Sequence, residues 1–359
     1  MERKPCTFFC KQTGLNSAGG MHSETVYNPL VSIIIPVKNG SRTIDACLKA
    51  IKRSYYKNYE VIVVDDGSTD GTPDILKQHN CRILHAERGE GANNARNFGA
   101  GNAAGDLLVF VDSDIVVGRE TILGIVETLE DNNTDAVVGI YTARHRHETF
   151  VSQYKNLWVR YSYLKSLPAI DWLFGSISGI KRAAFEKIGG FDVELLARHG
   201  HDDIELGKRF VRSRLNIVLN TDVEVEHLKN YTVRSFLKNE FDRSLGFAEL
   251  AFRLRETSSS FIKGFVNVYP SFVISTMVSV AGAAIIVLAA SGIIPYWYAG
   301  VPAGIYILLN IRFLNYLEQV RGLFAMIAMV PFLLLDHLIC FAGSVCGVLR
   351  GLMKKRRQE

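Results

Sequence analysis

The chain has 359 residues, 48 % of them hydrophobic, which is longer than one ordinary domain and implies a globular part joined to something apolar. A formal net charge of +5 is too small to argue for a nucleic-acid partner. The cysteines Cys6, Cys10, Cys47, Cys81, Cys340 and Cys346 have no paired C-x-x-C spacing, so neither a zinc site nor a disulfide framework is implied, and they read as reduced thiols.

Residues 1–29 mix Lys, Gly, Ser, Asn and Cys without periodicity and read as a flexible leader. Its only apolar stretch, Thr7-Phe-Phe-Cys10, is too short for the core of a secretory signal, which places the globular part in the cytoplasm. From Val31 the pattern becomes strand, turn and helix repeatedly. Strands are predicted at Val31–Val37, Val61–Val64, Arg82–Leu84, Leu107–Val111 and Ala136–Gly139, with helices after Ser41 and Thr72. Such alternation predicts an α/β domain: βαβ units in a mostly parallel sheet flanked by helices, with right-handed crossovers.

Three stretches carry more than packing. Val64-Asp65-Asp66-Gly-Ser-Thr-Asp70 closes the second strand with acids; a helix entrance capped by Ser68 or Asp70 explains part of it but not Asp65 and Asp66. Gly89-Glu-Gly-Ala-Asn93-Asn-Ala-Arg96 is a glycine-led helix start with a guanidinium one turn in, which suits a diphosphate, although Arg on a solvated helix face is the commoner meaning. Leu107-Leu-Val-Phe-Val-Asp112-Ser-Asp114 is an apolar strand that ends in two carboxylates one residue apart. If the chain stays extended there, both point the same way and can share a hard cation, Mg²⁺ or Mn²⁺; otherwise they are a strand end and a helix cap. No G-x-x-x-x-G-K-[ST] and no G-x-G-x-x-G after the first strand is present, so nucleotide binding here would have to use acidic loops and a metal.

Together, Val31-Ser-Ile-Ile-Ile-Pro-Val-Lys-Asn39, Val63-Val-Asp-Asp-Gly-Ser-Thr-Asp70, Ala95-Arg-Asn97 and Val111-Asp-Ser-Asp114 resemble glycosyltransferase family 2, over roughly residues 31–250. The family implies a GT-A fold and inverting transfer from a nucleotide-diphosphate sugar. By the resemblance Pro36, Asp65, Asp66, Arg96 and Asp112 fall on the donor, with Asp66 at the base, and Asp112 and Asp114 hold the metal. Gly175-Ser-Ile-Ser-Gly179 and Ile188-Gly-Gly-Phe-Asp192 look like the acceptor-side segment. His201-Asp202-Asp203-Ile-Glu205-Leu is similar to the family's Glu-Asp-x-Glu/Asp-Leu helix start, with Asp202 in place of the usual Glu and Asp203 at the catalytic-base position; helix capping is the competing explanation. Asp202, Glu205 and Arg243 are then acceptor-side or supporting residues, and His227, at the end of Val223-Glu-Val-Glu-His227, is a further metal candidate. Where processive relatives carry Gln-x-x-Arg-Trp this chain has Glu240 and Ser244 around Arg243, which favours transfer of a single sugar.

Val268–Ile294, Ala299–Ile311 and Leu323–Leu349 are apolar runs, the first ending near Tyr296-Trp297-Tyr298 and the last followed by Lys354-Lys-Arg-Arg357. They divide the chain into a leader, a GT-A domain at 30–255 and a membrane domain at 256–359 with two or three spanning or re-entrant helices, and a cut near Tyr269 is expected to release a soluble sheet domain. Arg312 and Arg321 precede the third run and the basic tail follows it, so the positive-inside rule is satisfied on both sides only if that run re-enters, or else the tail lies outside. The expectation is a multi-pass protein of the inner cell membrane with a cytoplasmic catalytic domain, moving a sugar from a UDP-sugar, or a GDP-sugar, to a lipid-linked or glycan acceptor. Its rivals are a nucleotidyltransferase, which lacks the basic glycine-rich loop it would need near Asn39-Gly-Ser41, and a membrane-bound nucleotide-sugar-binding protein without transferase activity.

Overall fold

The computed structural model describes residues 27–86, 91–146, 149–165, 170–193, 202–253 and 270–358. Most of the leader, Gly89 and Glu90 of the glycine-led start, His201 and the stretch around residues 254–269 lie outside the described residues.

Strand β1 (Val31–Val37) is buried along its whole length, as its unbroken apolar run requires of a strand covered on both faces. It pairs in parallel with β2 (Tyr59–Asp65) on one side and with β4 (Leu107–Val111) on the other, and β3 (Arg82–His85) extends the sheet beyond β2. Helices α1 (Ile44–Lys52), α2 (Thr72–Leu76) and α3 (Ala92–Gly101) connect these strands. Past β4 the order continues through four further pairings, so that the eight strands run β3-β2-β1-β4-β7-β6-β8-β5. In that half, β5 is Ile115–Val117, β6 Ala136–Tyr141, β7 Ile177–Lys181 and β8 Ile217–His227, with α4 (Thr121–Glu130) between β5 and β6.

The sheet is thus mixed, though mostly parallel: β7 runs antiparallel to β4 and to β6, and β5 runs antiparallel to β8. Neither β5 nor β7 was legible as a strand, because one is three residues long and the other carries Gly179 at its centre. That glycine is required by packing: a Cβ there would run into the Ile125 side chain and meet Val137 Cγ1 at 3.1 Å, so α4 lies against the sheet where the side chain is missing. The antiparallel β7 has a functional consequence. Its first residue, Ile177, registers with Val111, the last of β4, so the start of β7 joins the carboxyl ends of β1, β2, β4, β6 and β8 on one edge of the sheet. Open α/β sheets bind ligands on this edge.

Helix α5 (Phe150–Leu164) separates that edge from the apolar helices, and both of its faces are used. Phe150, Tyr154, Trp158 and Tyr161, about one turn apart, pack tilted or edge-on against Phe272, Phe313 and Phe332. Ser152, Lys155, Asn156, Val159 and Tyr163 face a cavity on the opposite side. A helix enclosed in this way buries polar residues, which is why Ser152, Gln153, Lys155 and Asn156 are all buried.

After α6 (Arg182–Lys187), α7 (Asp202–Arg212) and α8 (Val233–Arg253) come α9 (Pro270–Ala290), α10 (Gly300–Arg321) and α11 (Leu323–Gln358). The last three are long and apolar enough to cross a membrane by length and composition. Helix α11 is continuous through Asp336, His337 and the basic Lys354–Arg357 stretch. It crosses α8 at Gly343 and Gly347, a G-x-x-x-G pair: a Cβ at Gly343 would overlap Ser244 Oγ and lie 2.5 Å from Phe241 O, and one at Gly347 would run into Leu245 O. Gly343→Leu is therefore expected to prise α8 from α11 and to lower the denaturation midpoint of the protein in detergent, by the equivalent of roughly 1–3 kcal/mol or more. An unchanged midpoint would mean that the two helices do not meet there.

Candidate active site

The edge of the sheet opens into a cavity of about 280 Å³. Arg96 is buried at its base. One guanidinium nitrogen donates to Asp112 Oδ1 at 2.9 Å, the other to Asp202 Oδ2 at 2.7 Å and to Asn93 Oδ1 at 3.4 Å, while the Phe191 ring lies 5.3 Å from Cζ. Arg96 therefore ties the end of β4 to the start of α7, and its Nε is buried with no hydrogen-bond partner among the described residues.

Asp112 and Asp114 both line the cavity, but not by the extended geometry expected of them. The chain turns, with the Ile115 N–H donating to Asp112 O at 3.1 Å, because β5 must reverse to pair with β8. The two carboxylates consequently take different partners: Asp112 Oδ2 accepts from Ser176 Oγ at 3.3 Å, and Asp114 Oδ2 faces His227 Nε2 at 3.2 Å. Burial, with Asp114 close by, raises the Asp112 carboxyl despite Arg96. Burial opposes ionisation of Asp114 as well, yet the hydrogen bond and charge of His227, with Lys229, hold it below its ordinary value. The His227 ring is stacked on Tyr141 at 4.8 Å, and Tyr141 shares a hydrogen bond of 2.8 Å with Ser176, so imidazole and carboxylates are held on one wall.

Two carboxylates and an imidazole on one wall, two of them with donor atoms 3.2 Å apart, are ligand types that a divalent cation such as Mn²⁺ takes, with Asp112 held meanwhile by Arg96 and Ser176. A tighter grouping, Glu240, Asp336 and Cys340, lies between α8 and α11. There the cation is already supplied by the chain: Lys155 Nζ is 2.6 Å from Glu240 Oε1, and Asp336 accepts from Tyr154 at 2.9 Å and from Cys340 at 3.4 Å.

Asp203 sits in the first turn of α7 and reaches across to the loop before β7, where the Gly175 N–H donates to its Oδ2 at 3.1 Å. Its Oδ1 accepts from the N–H of Ile204, the next residue, at 2.9 Å; a helix cap instead bonds two or three residues on. Burial, and then the charge of Asp202, push the Asp203 carboxyl up to about 7. Gly175 lets the two approach, since a Cβ there would sit 3.3 Å from Arg96 Nη2 and 3.7 Å from Asp203 Oδ2.

The remaining predicted residues divide. Asp202 and Arg243 line the cavity. Glu205 does not: it forms a two-point ion pair with Arg209, at 2.7 and 2.9 Å, which also holds the Ile188 and Gly190 carbonyls. Pro36, Asp65 and Asp66 lie apart from it, at the ends of β1 and β2. Asp70 caps α2 by accepting from Thr72 N at 3.0 Å and also holds Ser41 N at 3.1 Å, so the capping explanation applies to Asp70 and not to its neighbours. Asp65 Oδ1 accepts from Ser68 N at 3.0 Å. Asp66 pairs with Lys38 at 3.3 Å through Oδ2, while its Oδ1 is buried and without a hydrogen-bond partner among the described residues. Sequence reasoning missed Tyr141, Lys155, Asn156 and Tyr163, which carry no motif; Ser176 was within reach, inside Gly175-Ser-Ile-Ser-Gly179.

Residues 32–189 match the family described as glycosyl transferase family 2, and residues 161–232 match the N-terminal domain of galactosyltransferase. Over residues 32–189 the chain is similar to glycosyltransferase family 2. Among its relatives, glycosyltransferase GlyG of Streptococcus pneumoniae serotype 4 is 33 % identical over 117 residues, covering 31 % of this chain and 39 % of that protein. Glycosyltransferase AglE of Haloferax volcanii is 34 % identical over 139 residues, covering 34 % of this chain and 46 % of that protein. The chain thus spans less than half the length of either. The mannosyltransferase PcManGT from Pyrobaculum calidifontis, solved in complex with GDP-Man and Mn²⁺, superposes with a TM-score of 0.63 over 90 % of this chain and 88 % of its own, at 20 % identity. That likeness is one of fold, and the sheet is accordingly GT-A-like.

Proposed function

We propose that the chain is a membrane-anchored inverting glycosyltransferase that uses a divalent cation and a nucleotide-diphosphate sugar. The observation that carries this reading is a single cavity in which a carboxyl titrating at about 7, Asp203, stands beside Arg96, Asp112, Asp114 and His227. A general base works best with a pKa near the operating pH. In this reading Asp203 removes the proton from the acceptor hydroxyl as its oxygen attacks the anomeric carbon from the side opposite the leaving diphosphate, which inverts that centre. Asp112, Asp114 and His227 would hold Mg²⁺ or Mn²⁺, whose charge offsets that of the diphosphate when it is bound. Arg96 supplies positive charge fixed in place beside Asp112. Asp66, with its free buried oxygen, takes a donor N–H of the nucleotide base at the neighbouring strand end.

Helices α9 to α11 hold the domain at the membrane. Arg321, at the end of α10, donates to Gln153 of α5, so the basic end of that helix and the sheet domain lie on the same side. Counted on Arg312 and Arg321, the positive-inside rule favours the cytoplasm for that side.

The donor is a UDP- or GDP-sugar; since the mannosyltransferase of like fold holds GDP-Man and Mn²⁺, that pair belongs in the first screen. A bound donor raises the denaturation midpoint by mass action. The expected result is stabilisation by one nucleotide sugar that depends on Mn²⁺ and is lost in both Asp112→Asn and Asp114→Asn, because each loses a charged ligand. Equal stabilisation of the wild type and both variants, with and without Mn²⁺, would refute the metal assignment.

A further inference from the structure

The polar atoms assigned above leave one side of the cavity unexplained. Asn156, on the cavity face of α5, is 4 % exposed. Its Nδ2 donates to Thr142 O at 2.8 Å, and because a carbonyl can only accept, this contact fixes which amide atom is the nitrogen. The other atom, Oδ1, is buried and has no hydrogen-bond partner among the described residues, and its residue lines the cavity. A buried acceptor left unpaired costs roughly 1–3 kcal/mol, a cost that a ligand offering an O–H or N–H would remove.

Sheet order indicates which ligand. Thr142 directly follows β6, Asp112 follows β4 and Asp66 follows β2, in the order β2-β1-β4-β7-β6. Adjacent strands are about 4.8 Å apart, so the ends of β2 and β6 lie about 10 Å to either side of the end of β4, and Asn156 is tied to the end of β6 through Thr142. A nucleotide-diphosphate sugar extending from Asp66 to Asp112 brings its sugar to β7, beside Gly175 and Asp203, and the space under β6 is left for the acceptor. That space is walled by Tyr163 and Trp172, with rings 4.3 Å apart. Lys155, the cation that α5 contributes there, is neutralised by Glu240 at 2.6 Å. The unpaired amide oxygen can only accept, so it suits a molecule that offers an O–H, as a sugar does and an ionised phosphate does not.

We infer that Asn156 recognises the acceptor and that the acceptor presents a sugar hydroxyl to its Oδ1. The inference rests on the transferase reading above and deepens it from an unspecified hydroxyl to a sugar-headed acceptor.

The test uses the full chain in a sugar-free detergent with Mn²⁺, GDP-mannose or UDP-glucose as donor, and two sets of acceptor probes with the same tail: octyl glycosides (glucoside, galactoside, mannoside, N-acetylglucosaminide) and octyl phosphate. Transfer to an octyl glycoside and not to octyl phosphate is expected. Asn156→Ala and Asn156→Asp both lose the bond to Thr142, but only the aspartate keeps an oxygen at the Oδ1 position. Asn156→Ala is therefore expected to lower kcat/KM for the glycoside about tenfold through KM, and Asn156→Asp to stay within about twofold of wild type. Equal losses in the two variants, an equal fall in donor affinity, or transfer to octyl phosphate alone or to neither probe would overturn the inference. Should the variants fail to fold, the wild-type comparison of the two probe sets still decides it. If no nucleotide sugar is bound or consumed at all, the transferase reading itself fails, and the inference with it.

Discussion

Asp203→Asn is expected to retain donor binding and to lose transfer by roughly 10²- to 10⁴-fold, the contribution of a positioned base. The amide keeps the size of the side chain and can still accept the Gly175 N–H, but it cannot take a proton. Asp202→Asn is the milder companion, since Asp202 is occupied by Arg96 at 2.7 Å and acts on the reaction only through its charge. The pH dependence follows from the same environment. A base must be ionised to work, so kcat/KM of the wild type should rise with pH through an acid limb near 7, the value to which burial and Asp202 bring Asp203. Removing the Asp202 charge should move that limb to lower pH. Stability runs the other way: a carboxyl whose pKa is raised on folding favours the native state when protonated, and that stability is lost as pH rises towards 7. Asp203→Asn, which never ionises, should therefore gain stability relative to wild type between pH 5 and pH 8. Turnover, donor affinity and denaturation midpoints at those two pH values check each statement, and a fully active Asp203→Asn enzyme would remove Asp203 from the chemistry.

Much of this site was legible because it is built where apolar runs stop. Val31–Val37, Val61–Val64 and Leu107–Val111 are too uniformly apolar to be anything but strands buried on both faces, and the acids and the arginine that follow them fall on one edge once the strands are parallel. What the alternation rule could not supply was the turn at Asp112–Ile115, which depends on the pairing of β5 with β8 more than one hundred residues later in the chain. For Glu205 the motif gives the position on α7, but the approach of Arg209 and the Ile188–Gly190 loop decides which way it faces and so which of its two expected places, acceptor side or support, it takes. The cavity face of α5 was missed because its polar stripe, Ser152, Lys155, Asn156 and Tyr163, has the pattern of an ordinary solvated helix face and nothing in it distinguishes a cavity from bulk water. The apolar tail also looked separable near Tyr269. Instead, Tyr154, Leu157 and Phe236 share a buried cluster with Phe313, Leu317 and Leu333, so that cut would strip apolar cover from α5 and α8.

The second large effect is expected at that shared core. Lys155 and Glu240 are 4 % and 5 % exposed, and their charged atoms are 2.6 Å apart. Burial pushes the Glu240 carboxyl up, but Lys155 and then Arg243 more than offset it and hold it below the ordinary range, so it is a carboxylate at neutral pH. Removing one partner of such a pair leaves a charge with no water to reach, which typically costs about 3–5 kcal/mol, whereas replacing both by apolar groups of similar volume is often neutral or stabilising. Lys155→Met is therefore expected to lower the denaturation midpoint in detergent sharply, Glu240→Leu to do so comparably, and the double variant to recover most of the loss, a coupling that a double-mutant cycle measures directly. The loss should also be felt at the membrane helices, because Tyr154, the residue before Lys155, donates to Asp336 of α11 at 2.9 Å and the Glu240 carboxylate is grouped with Asp336 and Cys340. Without the ammonium, two carboxyl groups face each other across the α8–α11 crossing, next to the close contacts of Gly343 and Gly347. A Lys155→Met protein within about 1 kcal/mol of wild type would mean that the pair is solvated rather than buried, and that α5 does not join the sheet domain to the apolar helices in the way its contacts indicate.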